Sequence, residues 1–456
     1  MSFDSSNKNE SLWTHQQKFH PLRERLTEEV HARPFESIND EVDVFLFVKV
    51  TGEGASEREF THLRTFCNEQ QIVPPPLGTR HFSAELNDFR VRWERHGEFT
   101  TYMAIIPTSG ALPFSESVPD VVSHWISSTE GQIIVATHLS ARYAADAANA
   151  IDYVEDKFVA ESLVSAKVAR GDGQVWTDLQ IHDSGFNHIF LINTNLKGMR
   201  LGRIIQRLLD VSTYRNMALL ALPEAQKAGG EIAQLEKNLS KLLDQIQDSN
   251  QLATKGKKAN QSIVSDSEML QEVTDISMKL QRITAKTKYR FSAADAYFEL
   301  VKTRITDLGE QQVDGYQTIG EFLQRRMTPA MRTCHSVHNR LDDLSNRTSR
   351  AVDLLRTRLN SILEKQNYQL LESMSKRARV QMRMQETVEG LSIAAITYYL
   401  VGLIAYLVKS IDKSYLPISP ETIIGISVVP TALLVWFGIR KMKQKVLGKD
   451  KSITHI

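Results

Sequence analysis

From Leu391 to Val408 the chain reads LSIAAITYYLVGLIAYLV, and from Thr422 to Ile439 it reads TIIGISVVPTALLVWFGI, each 18 residues without a charge. At 1.5 Å per residue each run covers about 27 Å, the depth of one hydrocarbon core. One such run could be the buried helix of a soluble protein. Two of them, separated by only 13 residues (409–421), predict a hairpin of transmembrane helices. Ser419 and Pro420 suit the N-cap and first helical position of the second span, and Pro430 is of the kind that kinks a lipid-embedded helix.

The flanks set an orientation. Four basic residues precede the first span (Lys376, Arg377, Arg379, Arg383) and six follow the second (Arg440, Lys441, Lys443, Lys445, Lys449, Lys451). The loop carries two, Lys409 and Lys413. Ten against two predicts cytoplasmic flanks and an external loop, with the basic tail 440–456 able to touch anionic headgroups. The polar start, MSFDSSNKNESLW, has no apolar stretch of the secretory kind.

In the 456 residues, 55 Lys and Arg nearly cancel 54 Asp and Glu, so no nucleic-acid partner is expected. The two cysteines, Cys67 and Cys334, stand far apart in no paired motif, as in a reducing compartment.

The expected fold class is α+β. After a flexible N-terminus (1–20), residues 21–222 form an antiparallel-sheet domain. Strands are predicted at 41–50, 80–86, 89–96, 98–106, 131–139, 162–170, 174–182 and 186–194. Helices are predicted at 21–32, 57–69, 119–127, 141–158 and 199–220. Short links between consecutive strands favour antiparallel pairing, Gly171-Asp172-Gly173 reads as a hairpin, and a split into two sheets near residue 110 stays open.

Residues 223–390 read as a helical stalk of coiled-coil type. Ile232, Leu235, Leu239, Leu242 and Ile246 make a seam at steps of three and four. It breaks over 247–262 and resumes at Val273, Ile276, Leu280 and Ile283, which suggests an antiparallel partner. A separate helix is expected at 292–309, then a turn at Asp314-Gly315. Thr328-Pro329 resembles a cap, and no Pro or Gly follows from Ala330 to Glu389. One helix is therefore expected from 329 through the first span to about 408. Its seam, Val337, Leu341, Leu344, Thr348, Ala351 and Leu355, has to be covered within the chain or by a second copy, so a homo-oligomer is expected.

Few residues point to chemistry. Glu29-Val30-His31-Ala32-Arg33 sets a carboxylate, an imidazole and a guanidinium within five residues, fit for an anion or for a helix-end ion pair closed by Pro34. A strand at 89–96 would put Arg90, Arg92, Glu94 and His96 on one face, either a phosphate-binding surface or an ordinary solvated one. Asp178, Gln180 and His182 would share a face of the next sheet region. The candidate anion-binding set is thus His31, Arg33, Arg92 and His182, with no residue assigned a catalytic role. Cys334, His338 and Asp342, at i, i+4 and i+8, are metal-ligand types, though a polar helix face explains them better. There is no phosphate-cradling glycine loop, zincin helix or serine-hydrolase elbow, so the cofactor stays unassigned.

The stretches EVHARPF (29–35), RWERHGEFTTY (92–102), TDLQIHDSGF (177–186), GRIIQRLLDVSTYRNMALLALP (202–223), SAADAYFELV (292–301), TIGEFLQRRMTPAMRTC (318–334) and QETVEGLSIAAITYYLVGLI (385–404) resemble an uncharacterised family of bacterial membrane-anchored proteins, domain of unknown function 3422. The resemblance implies a bacterial inner-membrane location and no activity. The architecture also resembles CorA-type divalent-cation channels, with a departure: Val408-Lys409-Ser410 stands where those carry Gly-Met-Asn. Shared architecture does not fix function.

The leading expectation is a membrane-anchored cytoplasmic binding or scaffold protein, partnered by the bilayer, by its own copies and by an anionic ligand or a protein. A CorA-like transporter and a membrane-tethered enzyme acting on an anionic substrate are the alternatives. Transport would need polar groups facing a pore, and the spans offer Ser392, Thr397, Tyr398, Tyr399, Tyr406, Ser427 and Thr431.

Overall fold

The structure, a computed structural model, describes residues 19–24, 26–27, 35–52, 56–144, 156–253, 259–410 and 418–449. These fall into two compact units, within Met1–Gln247 plus Gln271–Ala351 and within Asp248–Leu270 plus Val352–Ile456.

The first unit is built on one nine-stranded sheet. In chain order its strands are β1 (Glu41–Val50), β2 (His81–Leu86), β3 (Phe89–Arg95), β4 (Phe99–Thr108), β5 (Gln132–Tyr143), β6 (Val164–Val168), β7 (Gly173–Thr177), β8 (Asn187–Asn193) and β9 (Gln311–Gln312). Their order across the sheet is β2-β3-β4-β1-β5-β8-β7-β6-β9. All pairings are antiparallel except β5 with β8. Because β5 pairs with both β1 and β8, there is one sheet rather than two near residue 110. The strand β9 is an addition that its two-residue length hides from any pattern. The β6–β7 hairpin forms as expected, through Ala169, Arg170 and Gly171 at positive φ.

Helices α1 (Ser56–Glu69) and α2 (Asp120–Ser128) cover the β1–β4 half of one face. There Leu63, Phe66, Val122, Trp125 and Ile126 pack on Phe45, Phe47, Trp93 and Tyr102. Phe66 stacks on Trp125 with centroids 3.9 Å apart. Burying side chains of this size supplies about 1.5–3 kcal/mol each. The β5–β8 half of that face carries Phe158, Trp176, Phe190 and Ile192 under Phe114 and Tyr316. Residues 141–143, expected to open a helix, belong to β5, and residues 145–155 of that expected helix lie outside the described ones. The helix expected at 21–32 likewise lies largely outside them.

Helix α3 (Met199–Leu219) covers the other face, where Thr137 and Ser212 hydroxyls meet at 3.0 Å. A close crossing fixes its start. A Cβ placed on Gly202 would lie 1.8 Å from the Glu36 carbonyl oxygen, so only glycine lets the 35–38 segment pass.

Helices α4 (Ala221–Ala253) and α5 (Ala259–Leu308) pair antiparallel, burying the predicted seams Ile232–Ile246 and Val273–Ile283. Two expectations are corrected. The separate helix at 292–309 is the C-terminal part of α5, because nothing between Ile283 and Phe291 breaks the backbone. Helix α6 (Ile319–Lys409) begins ten residues before Pro329. Its cap is Thr318, whose hydroxyl accepts from Glu321 N at 3.1 Å while the Glu321 carboxylate accepts from Thr318 N at 3.3 Å, a reciprocal capping box. Of the two covers expected for the seam, Val337–Ala351 has the intrachain one, buried in the first unit against α4 and α5. Arg340 clamps Glu236 of α4 at 3.1 and 2.7 Å, and His335 meets Asp295 of α5 at 3.2 Å.

In the second unit Leu355 is buried and Arg358 pairs with the buried Asp266 at 2.7 Å. Beyond this, every residue of α6 from 367 to 388 is exposed. The apolar end of α6 and helix α7 (Pro420–Lys449) are long and apolar enough to cross a membrane. Ser419 caps α7 ahead of Pro420 as expected, accepting from Thr422 N at 3.4 Å.

Candidate functional site

Two polar layers lie on opposite faces of the sheet. On the α3 side the period of two does bring Arg90, Arg92 and Glu94 to one face, but that face is neither solvated nor open. Arg92 is 3% exposed and donates from Nε to Glu94 at 2.9 Å and from NH1 to Glu36 at 3.3 Å. Glu36 also accepts from Arg90 NH1 at 2.8 Å and from Ser83 at 2.9 Å. His81 and His96 each approach Glu94 within 3.8 Å. Burial would raise the Glu94 carboxyl, but the charge and hydrogen bonds of Arg92, with His96 and His81 nearby, together hold the group below its usual range. This is a compensated ion-pair ladder. The guanidinium expected to bind an anion already holds two carboxylates, and Glu36, one residue beyond the EVHARPF stretch, supplies one of them. His31 and Arg33 lie outside the described residues.

On the opposite face the sheet gathers imidazoles. His138 of β5 and His188 of β8 stand directly opposite in the parallel register, with ring centroids 6.0 Å apart. His182 stacks on His188 at 4.2 Å and Phe114 stacks on it at 4.4 Å. Each end carries a carboxylate: Asp43 meets His138 at 3.3 Å, and Asp178 meets His182 at 3.1 Å. Asp43 also holds Arg142 at 2.9 Å. Burial would raise the Asp43 carboxyl, yet His138, Ser140 and Arg142 together keep it low.

The strand expected to reach His182 ends at Thr177, and the reason is local. Asp178 accepts from Gln180 N at 3.1 Å and Leu179 takes φ 59°, so the chain turns out of the ladder. Asp178 and His182 still meet, across a turn instead of along a strand face. Asp178 also accepts from Val159 N at 3.0 Å and opposes Arg215, which burial draws down to about 10.

His188 is the unusual member. It is buried, and among the described residues its Nε2 reaches Ser184 Oγ at 3.3 Å while its Nδ1 has no hydrogen-bond partner. Burial and then the neighbouring His182 and His138 push its pKa down to about 4, so it is neutral at physiological pH. An oriented Asp–His pair can serve as a base. Ser184 faces His188, and among the described residues no carboxylate meets His188 Nδ1. Arg92 on one face and His182 on the other are not brought together, because the strands β4, β1, β5 and β8 intervene. The signal for the array was in the sequence as His138, Asp43 and His188, but only the sheet order makes them neighbours.

Cys334, His338 and Asp342 do not converge. Cys334 is buried, with its thiol pushed up by burial, while His338 and Asp342 meet at 3.7 Å on a more exposed side. Among the described residues no three His, Cys, Asp or Glu side chains are placed to hold a metal ion.

Fold and layers together define an α+β protein with a buried Asp–His array and two helices long enough for a membrane. The chain belongs to the family described as "Protein of unknown function (DUF3422)", whose profile matches residues 18–446. No curated protein matches it.

Proposed function

We propose that this protein is a membrane-anchored binding protein of the bacterial cytoplasmic membrane, with both termini and the α+β domain in the cytoplasm. One observation carries the reading. The apolar windows of α6 and α7, with mean hydropathy 2.0 and 2.1, are only 0% and 6% buried by the rest of the chain. A core helix of a soluble protein would be covered, and lipid is the medium that covers these without cost. The basic flanks, ten against two, support the orientation. Among the described residues the Asp–His array lacks a positioned nucleophile, which favours binding over catalysis. Ion transport and action on an anionic substrate are the rival readings.

Fusions of an exported-enzyme reporter at Ser414 are expected to be active outside, and fusions at either terminus inactive there. A tag at residue 456 that reacts with an impermeant reagent in intact cells overturns the orientation. Cation flux through liposomes holding the purified protein would favour the transport reading instead.

A further inference from the structure

We infer that the membrane-proximal part of α6, from Leu370 to Leu391, is a self-association surface whose partner is the same segment of a second, parallel copy of this chain; this rests on the anchoring proposed above. All 22 residues from 367 to 388 are exposed, so among the described residues no intrachain element covers any side of six turns of helix. Helices gain most of their stability from a packed face, so a bare segment of this length calls for a partner.

The distribution of side chains says which partner. Leu370, Met374, Arg377, Gln381, Met384, Val388 and Leu391 follow one another at alternating steps of four and three, the a and d positions of a heptad seam. The flanking e and g positions are Leu371, Ser373, Ala378, Val380, Gln385 and Thr387, all uncharged. The remaining charges, Glu372, Lys376, Arg379, Arg383, Glu386 and Glu389, fall on the outer positions. There Lys376 and Glu372 pair with each other at 2.9 Å. Charges at e and g normally choose among unlike partners and keep identical chains apart. Their absence leaves a face of a, d, e and g positions whose single charge is Arg377, against which an identical face meets no repulsion from the flanking positions. Leu370, Leu371, Met374, Met384 and Val388 are each more than half exposed, which is the surface such a contact would cover.

Anchoring supplies the register. Two copies inserted with one orientation in one bilayer start their seams at the same height, so like positions face like positions. Arg377 and Gln381 are the polar interruptions, and polar residues at such positions fix register at some expense of affinity.

The test uses the full-length protein in its own membranes. Wild type is the control, since Cys67 and Cys334 are both buried. Single substitutions Met384→Cys and Val388→Cys place a thiol on the seam, and Glu386→Cys places one on the outer face. A disulfide forms only when the two Cα atoms approach within about 7 Å. Mild oxidation is expected to give several-fold more homodimer from the two seam variants than from Glu386→Cys. Equal yields at all three positions, or a cross-linked product whose mass contains a different protein, overturn the inference. Carbonate washing separates the two claims. Protein that stays in washed membranes without a seam-specific dimer overturns self-association alone. Protein released by carbonate overturns the anchoring reading, and the register argument falls with it.

Discussion

The two polar layers of the sheet are built from similar residues and behave differently. On the α3 side, Arg92, Glu94, Glu36 and Arg90 satisfy one another, each guanidinium matched to carboxylates within 3.3 Å. On the other side, His188 is buried at the centre of three stacked or facing imidazoles with Nδ1 unpartnered. A matched ladder is held together by charge and is intolerant of losing one member. An array with an orphan atom forgoes stability locally, so losing that atom should cost little.

The largest expected effect is on the ladder. Arg92→Met leaves the buried Glu94 without its arginine, while Glu36 keeps Arg90, and should lower unfolding free energy by about 3–5 kcal/mol. Adding Glu94→Gln should recover part of that loss. Chemical denaturation of the detergent-solubilised protein reads both, and a double variant no more stable than the single one would break the compensation argument.

Next is Gly202→Ala, whose new methyl would stand 1.8 Å from the Glu36 carbonyl oxygen. A loss of about 1–3 kcal/mol is expected from the forced backbone shift. Because that crossing delivers Glu36 to Arg92, the Gly202→Ala and Arg92→Met effects should add to less than their sum. Strict additivity would mean the crossing and the ladder are independent.

In the imidazole layer the expected effects are smaller. His188→Phe keeps the stack on Phe114 and removes the orphan nitrogen, so stability at pH 7 should change by no more than about 1 kcal/mol. A loss as large as that of Arg92→Met would erase the contrast between the layers.

The smallest effect is a slope. His188 has a pKa drawn down from 6.5 to about 4, so between these values the unfolded chain binds the proton and the folded one does not. Stability from this group is complete above 6.5 and falls with decreasing pH, by at most about 1.4 kcal/mol per pH unit. Asp43, held low, contributes its own loss only at more acid pH, below its ordinary 3.8. Thermal unfolding from pH 7 to 4.5 should therefore show a shallower decline in His188→Phe than in wild type, and parallel curves would contradict the burial of a neutral imidazole.

Much of the fold was legible because its signals are local. The apolar, β-branched and aromatic run in EVDVFLFVKV placed β1 at Glu41–Val50, and the three-four steps of Ile232–Ile246 and Val273–Ile283 predicted their mutual burial. Pro329 misled about where α6 starts, since a Thr-Pro pair reads as a cap while the reciprocal Thr318–Glu321 bonds lie ten residues earlier. The candidate site was less legible. Arg92 was rightly placed on a face with Arg90 and Glu94, but no period reveals that Glu36 is carried over Gly202 to neutralise it.

By itself the sequence determined the two apolar runs, their basic flanks and the heptad steps of the helices. These follow from hydrophobicity and from spacings within a few residues, which water and lipid read directly. The tertiary structure decided which seams are already covered, burying Val337–Ala351 and leaving 367–388 bare. It also decided which charges meet. The strand order set His138 beside His188 and put Arg92 out of reach of His182, because pairing across a sheet joins residues far apart in the chain, and spacing along the chain carries no record of that.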